Sequence, residues 1–378
     1  MGIATIEQPS HRMTGLDGIR GIAALVVVFN HIYNFIPALA VDSSFLFNYT
    51  PAYFLIAGRI AVIIFFILSG FVLSLPYYNG TSQSYSAYAV RRFCRIYLPF
   101  LAVLIGAIGL HAAFADQNLV IEGARTWSAP LSWSVIASHI FMTGITEDSI
   151  RLNFPMWTLI MEMRVSLILP LLVIFISRFS WSGVVIGAVI GVAATKIVAG
   201  MEGFDDHVAL SITGTMLLTV YYISFFLFGI LIAKKLEFLK SVMRRIPVVL
   251  HALAYLGILL MPRVILKDHY LAQELWYALV GSYLILCCLS FTGFNAAMSV
   301  RPIMWLGRVS YSLYLVHMPL LTAAMYVLNG VLPLPVILAV AFIAILIVAE
   351  FVHVLVEKPS IVWGKKLSRR LEKKREAA

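Results

Sequence analysis

The 378-residue sequence is short of charge. Asp, Glu, Lys and Arg make up 12% of it, against 61% hydrophobic residues, and its mean hydropathy is +0.93. An ordinary soluble domain carries about twice that charge. A soluble core cannot hide so much apolar surface, whereas a bilayer can. The low polarity runs along the whole chain and leaves no room for a separate soluble domain. Cysteine is scarce. Cys94, Cys287 and Cys288 show no metal-ligand spacing and no disulfide framework, so they read as small apolar fillers. Acidic residues are also few, 18 against 28 basic, for a formal charge of +10. That excess does not point to nucleic acid, because seven of the basic residues sit in KKLSRRLEKKREAA (365–378), just after an apolar run. A basic segment there fixes topology and touches anionic membrane lipids. The opening MGIATIEQPSHRMTG shows no basic leader with a small-residue cleavage site, so the first span is expected to be retained. Gly2 is followed by Ile6 where a myristoylation signal needs Ser or Thr.

What the chain does have is long apolar runs. A bilayer core about 30 Å thick needs roughly 20 mainly apolar residues per helix. Runs near 16–36, 55–75, 97–115, 156–177, 182–199, 212–233, 247–262, 273–292, 303–328 and 334–356 predict an all-α polytopic membrane protein with about ten spans. The seventh run is the shortest. An even count puts both termini on one side. If that side is the cytoplasm, its segments hold Arg91, Arg92, Arg95, Arg178, Lys234, Lys235, Lys240, Arg244, Arg245, Arg301 and Arg308 plus the C-terminal cluster. The other side holds Arg125, Arg151, Arg263 and Lys267. Basic residues favour the cytoplasmic face, so both termini are expected there. The division is a tail at 1–15, a membrane domain at 16–358 and a basic tail at 359–378. The longest outer loop, about 116–155, could cap a site facing outward. No internal repeat is evident, which argues against an inverted-repeat transporter.

Some residues do not suit a membrane. IRGIAALVVVFNHIYN (19–34) carries Arg20 near one end and Asn30, His31 and Asn34 near the other. Arg20 and His31 are eleven apart, so they share one helix face about 16 Å apart along the axis. Asp17 lies one turn before Arg20, and Asn34 one turn after His31. Ionisable groups in a span are costly and face the protein interior or water. Arg20 could pair with Asp17 as a topology-fixing cation, and His31 could hydrogen-bond to a neighbouring helix. The shared stripe favours function. In AVRRFCRIYLPF (89–100), Arg92 and Arg95 are one turn apart, with Arg91 beside them. The guanidinium fork matches phosphate oxygens, although from this stretch alone plain topology is the simpler reading. NFPMWTLIMEMRVSLILPLL (153–172) buries Glu162, whose partner must come from another helix because Arg164 points to another face. In LGRVSYSLYLVHMPLL (306–321), Ser310, Tyr314 and His317 share a stripe. Tyr311 and Tyr314 read as aromatic packing with a polar contact, while His317 stays open.

Taken together, these stretches resemble the acyltransferase family 3 of integral membrane O-acyltransferases. The matching segments are LDGIRGIAALVVVFNH (16–31), FFILSGFVLS (65–74), RRFCRIYLP (91–99), MWTLIMEMRVSLILPLL (156–172), LGRVSYSLYLVHMPLL (306–321) and VEKPS (356–360), in the family's order. Each is weak alone, and the set is specific. The resemblance implies transfer of an acyl group, usually acetyl from acetyl-CoA, to a hydroxyl of surface carbohydrate or another acceptor, at a bacterial inner membrane. It maps the family's Arg-ten-residues-His motif onto Arg20 and His31, and its Arg-two-residues-Arg motif onto Arg92 and Arg95. Its Trp and Glu match Trp157 and Glu162. His31 and Glu162 are then the catalytic candidates, and Arg20, Arg91, Arg92 and Arg95 bind acyl-CoA. Asp17, Asn34, Trp157, Tyr314 and His317 support them. Acyl-CoA enters as a co-substrate; no permanently bound cofactor and no metal are expected. Val316 stands where many relatives carry Trp. The chain looks like a stand-alone member without the extra C-terminal domain of some relatives. His suits the task because its unperturbed pKa lies near 6.5, and an acyl-His31 intermediate is a second route. A macrolide-like acceptor, a proton-coupled transporter and a non-catalytic scaffold are the competing readings.

Overall fold

In the computed structural model, the residues described are 13–36, 50–81, 84–115, 127, 130–145, 152–202, 209–247, parts of 249–258, 266 and 269–376. Among them there is no strand. The helices are α1 (Thr14–Asn34), α2 (Gly58–Tyr78), α3 (Tyr85–Phe114), the short α4 (Trp133–Ile140), α5 (Met156–Phe179), α6 (Trp181–Glu202) and α7 (Ile212–Lys234). They continue with α8 (Leu236–Arg245), α9 (Tyr270–Ser290), α10 (Thr292–Met298), α11 (Arg301–Leu328), α12 (Leu334–Val352) and α13 (Lys358–Glu376). A π-helical turn, His353–Glu357, joins the last two into one rod.

Nine helices among the described residues are long and apolar enough to cross a membrane, with Leu334–Lys373 as one of them. The sequence predicts ten. Half of the missing one, 247–262, lies outside the described residues, as do nearly half of loop 116–155, Arg125, Arg151, Arg263, Lys267 and residues 1–12. Arg244 Nε donates to the carbonyl of Ser290, 3.3 Å away, so α8 ends beside the end of α9. Met13 at the start of α1 and Lys358 at the start of α13 line one cavity.

Glycines set the tightest crossings. A methyl on Gly21 would overlap the backbone of Gly307, and one on Gly307 would overlap Asp17, so α1 and α11 touch backbone to backbone. Gly70 and Gly229 do the same between α2 and α7. Small residues permit this approach where the lipid offers no hydrophobic drive between helices. Gly229→Ala is therefore expected to cost about 1–3 kcal/mol by overpacking. Gly106, whose added methyl meets nothing within 4 Å, is the control: Ala there should be neutral or slightly stabilising. Thermal unfolding in detergent distinguishes the two.

The segment read from sequence as a basic tail is a helix for most of its length. Gly364 of α13 lies against Cys94 Cβ of α3, and Arg91 Nη1 donates to Ser368 Oγ at 3.0 Å. Two small residues one turn apart let α13 lie along α3, while Lys366, Arg369 and Arg370 stay exposed.

Candidate active site

A cavity of about 890 Å³ opens between α1, α2, α3, α5, α11 and the α12–α13 rod. Arg20, Arg92, Arg95 and Glu162 all line it, as do Asp17 and Tyr314. Four of the charged residues singled out in the sequence thus converge from three helices that are far apart in the chain. Along α2 the lining runs from Val62 to Asn79, about 26 Å at helical rise. The cavity is polar toward one end and apolar toward the other. Leu73 and Val72 of α2 lie with Arg92 and Arg95, in a smaller side pocket shared with Arg91 and Lys365. Val62, Phe65 and Phe66 lie about two turns further along.

Glu162 accepts a hydrogen bond from Ser69 Oγ at 3.1 Å. Among the described residues no arginine nitrogen comes within 4.0 Å of its carboxylate. The cations therefore face Glu162 across the cavity and do not clamp it. Arg164 is turned away as the sequence spacing requires. It donates to the carbonyls of Met142, Thr143 and Thr215 and to the hydroxyls of Thr215 and Thr219, tying α5 to α7. Arg91 is held by Ser368 and by Glu372 of α13, the latter at 3.9 Å, and reaches the side pocket only.

His31 is not on the cavity wall. Its ring centroid lies 5.2 Å from that of His317 and 5.7 Å, edge-on, from that of Phe154. Tyr314 stands between this histidine pair and the cavity. It lines the cavity, its ring is 5.5 Å from His317, and its hydroxyl meets Thr158 Oγ1 at 2.7 Å. His317 is fully buried, with Nδ1 hydrogen-bonded to the Tyr314 carbonyl at 2.7 Å. A carbonyl only accepts, so Nδ1 carries the proton and Nε2 holds a lone pair. That Nε2 is buried and has no hydrogen-bond partner among the described residues. Asn34, at the exposed end of α1, lines neither the cavity nor its side pocket.

Trp157 belongs to a different constellation, which sequence reasoning missed. Arg59 of α2 forms a two-pronged ion pair with Glu274 of α9. Arg59 Nη2 also donates to the Tyr222 hydroxyl at 3.1 Å, while Tyr270 and Tyr221 donate to Glu274. The guanidinium lies 5.4 Å from the ring centroids of both Trp157 and Tyr222. Glu274 is fully buried. Both charges sit inside apolar runs, and that was the available signal. A second missed group lines the cavity on the π-turn: Glu357 accepts from Ser312 Oγ at 2.7 Å and from His353 Nδ1 at 2.9 Å.

The fold and site define a polytopic helical membrane protein with an arginine-lined cavity backed by a histidine pair. The family model described as acyltransferase domain matches residues 13–352, and the chain belongs to that family, acyltransferase family 3. It is 23% identical to O-acetyltransferase OatA of Staphylococcus aureus and 26% identical to YrhL of Bacillus subtilis, a candidate peptidoglycan O-acetyltransferase by its name. Each alignment covers 96% of this chain and 59% or 57% of the relative, so the chain spans little more than half of either protein. Protein 2 in the picA locus of Rhizobium radiobacter is 29% identical over 42% of this chain and 82% of its own length. No solved structure matches.

Proposed function

We propose that the protein is a membrane O-acyltransferase that takes an acetyl group from acetyl-CoA and delivers it to a hydroxyl of a carbohydrate acceptor. A surface polysaccharide or its lipid-linked precursor is the acceptor class that the relatives' names favour. The observation that carries this reading is the meeting of Arg20, Arg92 and Arg95 in one elongated cavity. Three guanidinium groups suit the phosphates of CoA. The cavity's length suits an extended thioester arm, and its far end approaches the two histidines. The basic-residue bias favours a cytoplasmic arginine end, and acyl-CoA is made in the cytoplasm; a bacterial inner membrane is the membrane this reading implies. Acceptor and donor would then enter from opposite faces.

The chemistry needs one base. The acceptor hydroxyl gives its proton to an imidazole nitrogen as its oxygen attacks the thioester carbonyl. The C–S bond breaks, and the departing sulfur takes a proton to leave as free thiol. His31 and His317 lie close enough for one to accept the proton while the other orients it. A thioester is already activated, so the residues here need only bind, align and move one proton.

Purified protein in detergent should release thiol from acetyl-CoA when given a hydroxyl acceptor; a transporter or scaffold would release none. Arg92→Gln and Arg95→Gln should each weaken acetyl-CoA binding by about 1.5–3 kcal/mol, the worth of a charge-assisted hydrogen bond. Lysine should rescue poorly, because it lacks the fork. Calorimetric titration with acetyl-CoA checks both, and wild-type affinity in the glutamine variants would reduce these arginines to topology markers.

A further inference from the structure

The main cavity and its side pocket differ in charge. The main cavity carries Asp17, Glu162, Glu350 and Glu357 among its arginines. The side pocket, about 240 Å³, is lined by Arg91, Arg92, Arg95 and Lys365, and among the described residues no carboxylate lines it. Arg91 is held by Ser368 Oγ at 3.0 Å and by Glu372 at 3.9 Å. Among the described residues no carboxylate comes within 4.0 Å of Arg92, Arg95 or Lys365. Cations gathered this closely repel one another, and an anion among them relieves that cost.

The side pocket also has a definite place along the bundle. On α3, Arg91 lines the side pocket only, Arg92 and Arg95 line both spaces, and Ile96 lines the main cavity only. The α12–α13 rod gives the same order: Lys365 in the side pocket, Ile361 in both, Glu357 in the main cavity. Helix α2 fixes the direction. A methyl on its Gly58 would overlap the side chain of Asn30, the neighbour of His31 in the chain. Pro76, on the side-pocket wall, lies about 27 Å further along α2 at helical rise. The side pocket is therefore at the end remote from the histidines.

We propose that the side pocket holds the ribose 3′-phosphate of the acyl-CoA donor, with Lys365 and Arg91 as specificity-determining residues. This rests on the acyl-CoA reading given above. Along the donor the groups run from thioester to diphosphate to phosphorylated ribose. With the thioester toward the histidines, the diphosphate falls at Arg92 and Arg95, and the last phosphate lies beyond them. The charges agree. A phosphomonoester carries about −1.5 to −2 near pH 7, the densest charge on the donor, and the pocket without carboxylates repels it least. The size agrees as well. About 240 Å³ is below the roughly 300–1,000 Å³ of pockets that enclose a drug-sized ligand, so it suits a phosphate and not a whole nucleoside. Helix α13 then serves the site twice, since it carries Lys365 and holds Arg91 through Ser368.

The test titrates the full chain in detergent, by calorimetry, with acetyl-CoA and with acetyl-dephospho-CoA, which lacks only that phosphate. The ratio of the two Kd values cancels any general weakening of the site. Wild type should bind acetyl-CoA about 10- to 100-fold more tightly, the scale of charge-assisted hydrogen bonds to one group. Lys365 is exposed, so its replacement spares the core. Lys365→Ala should shrink the ratio several-fold, and Lys365→Glu should bring it close to one. Arg20 lines the main cavity only, so Arg20→Gln should weaken both ligands and keep the ratio. Equal binding of the two ligands by wild type, or a wild-type ratio in both Lys365 variants, overturns the assignment and leaves acyl-CoA binding intact. A lipid headgroup in the pocket would give another pattern. Added phosphatidylglycerol would then shift both affinities alike, and the Lys365 variants would abolish that shift without moving the ratio, which also overturns the assignment. A wild type that binds neither ligand overturns the acyl-CoA reading, and this assignment with it.

Discussion

Replacing His31 with glutamine should lower acyl transfer by about 10²–10⁴-fold, the usual cost of losing a general base. The protein should still insert and fold. Glutamine keeps hydrogen-bonding capacity and similar length, but its amide cannot take a proton near neutral pH. The loss could be larger if the acyl group passes covalently through His31. The geometry makes the experiment two-sided. His31 has no side-chain hydrogen bond among the described residues, and its ring contacts are Phe154 and His317. A purely structural role would show as a lower melting temperature with turnover per folded molecule intact. His317→Gln is the companion. Its Nδ1 is committed to a backbone carbonyl, so the variant loses the buried Nε2 lone pair. If His31→Gln transfers at the wild-type rate while His317→Gln does not, the proton goes to His317. If neither falls, the histidine pair leaves the mechanism and Glu162 becomes the next candidate.

The largest stability effect is expected away from the cavity, at Arg59 and Glu274. Changing Arg59 to leucine removes the cation that pairs with the fully buried Glu274 carboxylate. Breaking a buried pair from one side typically costs about 3–5 kcal/mol. Thermal unfolding in detergent should show that loss, together with a freed end of α9, because Arg59 is the group that links Glu274 to α2. The double replacement Arg59→Leu, Glu274→Leu should recover much of it, since removing both charges also removes the cost of burying them. If the double variant remains stable but loses transfer, the pair serves the acceptor face as well as the fold; Trp157, which the family motif picks out, stacks on the same guanidinium. A single variant as stable as wild type would show that lipid or water already compensates the charge.

The hydropathy of this chain is enough to decide its class. Runs of about 20 apolar residues have only one stable outcome in a bilayer, because every backbone group must be satisfied within the segment. Nine runs from α1 to α12 are helices where the sequence places them, since that signal is local and repeated. Half of the seventh run falls outside the described residues. At the C-terminus the sequence reading stopped too early. The expected tail begins at 359, whereas the helix continues to Glu376, with Gly364 and Ser368 docked on α3. Charge alone says nothing about such packing.

The site was legible in kind but not in arrangement. Arg20, Arg92, Arg95 and Glu162 stand out because each is an ionisable or phosphate-matching group at a membrane segment, and they do share a cavity. The stripe on α1 suggests that Arg20 and His31 open onto the same space. Helical spacing fixes their common face and their axial distance, but which neighbouring side chain stands between them depends on another helix. That neighbour is Tyr314, nearly three hundred residues along the chain, brought against α1 by the Gly21–Gly307 contact. The Arg59–Glu274 pair was invisible for the same reason: its partners are 215 residues apart, and no local periodicity couples them. By itself, then, the sequence determined the all-helical membrane class, the family and the residue types that could do the chemistry, because those depend on composition and short spacings. Only the tertiary structure decided that the arginines face a cavity, that the histidines lie behind its wall, and that Trp157 serves a separate ion pair, because each of those depends on how closely two distant helices can approach.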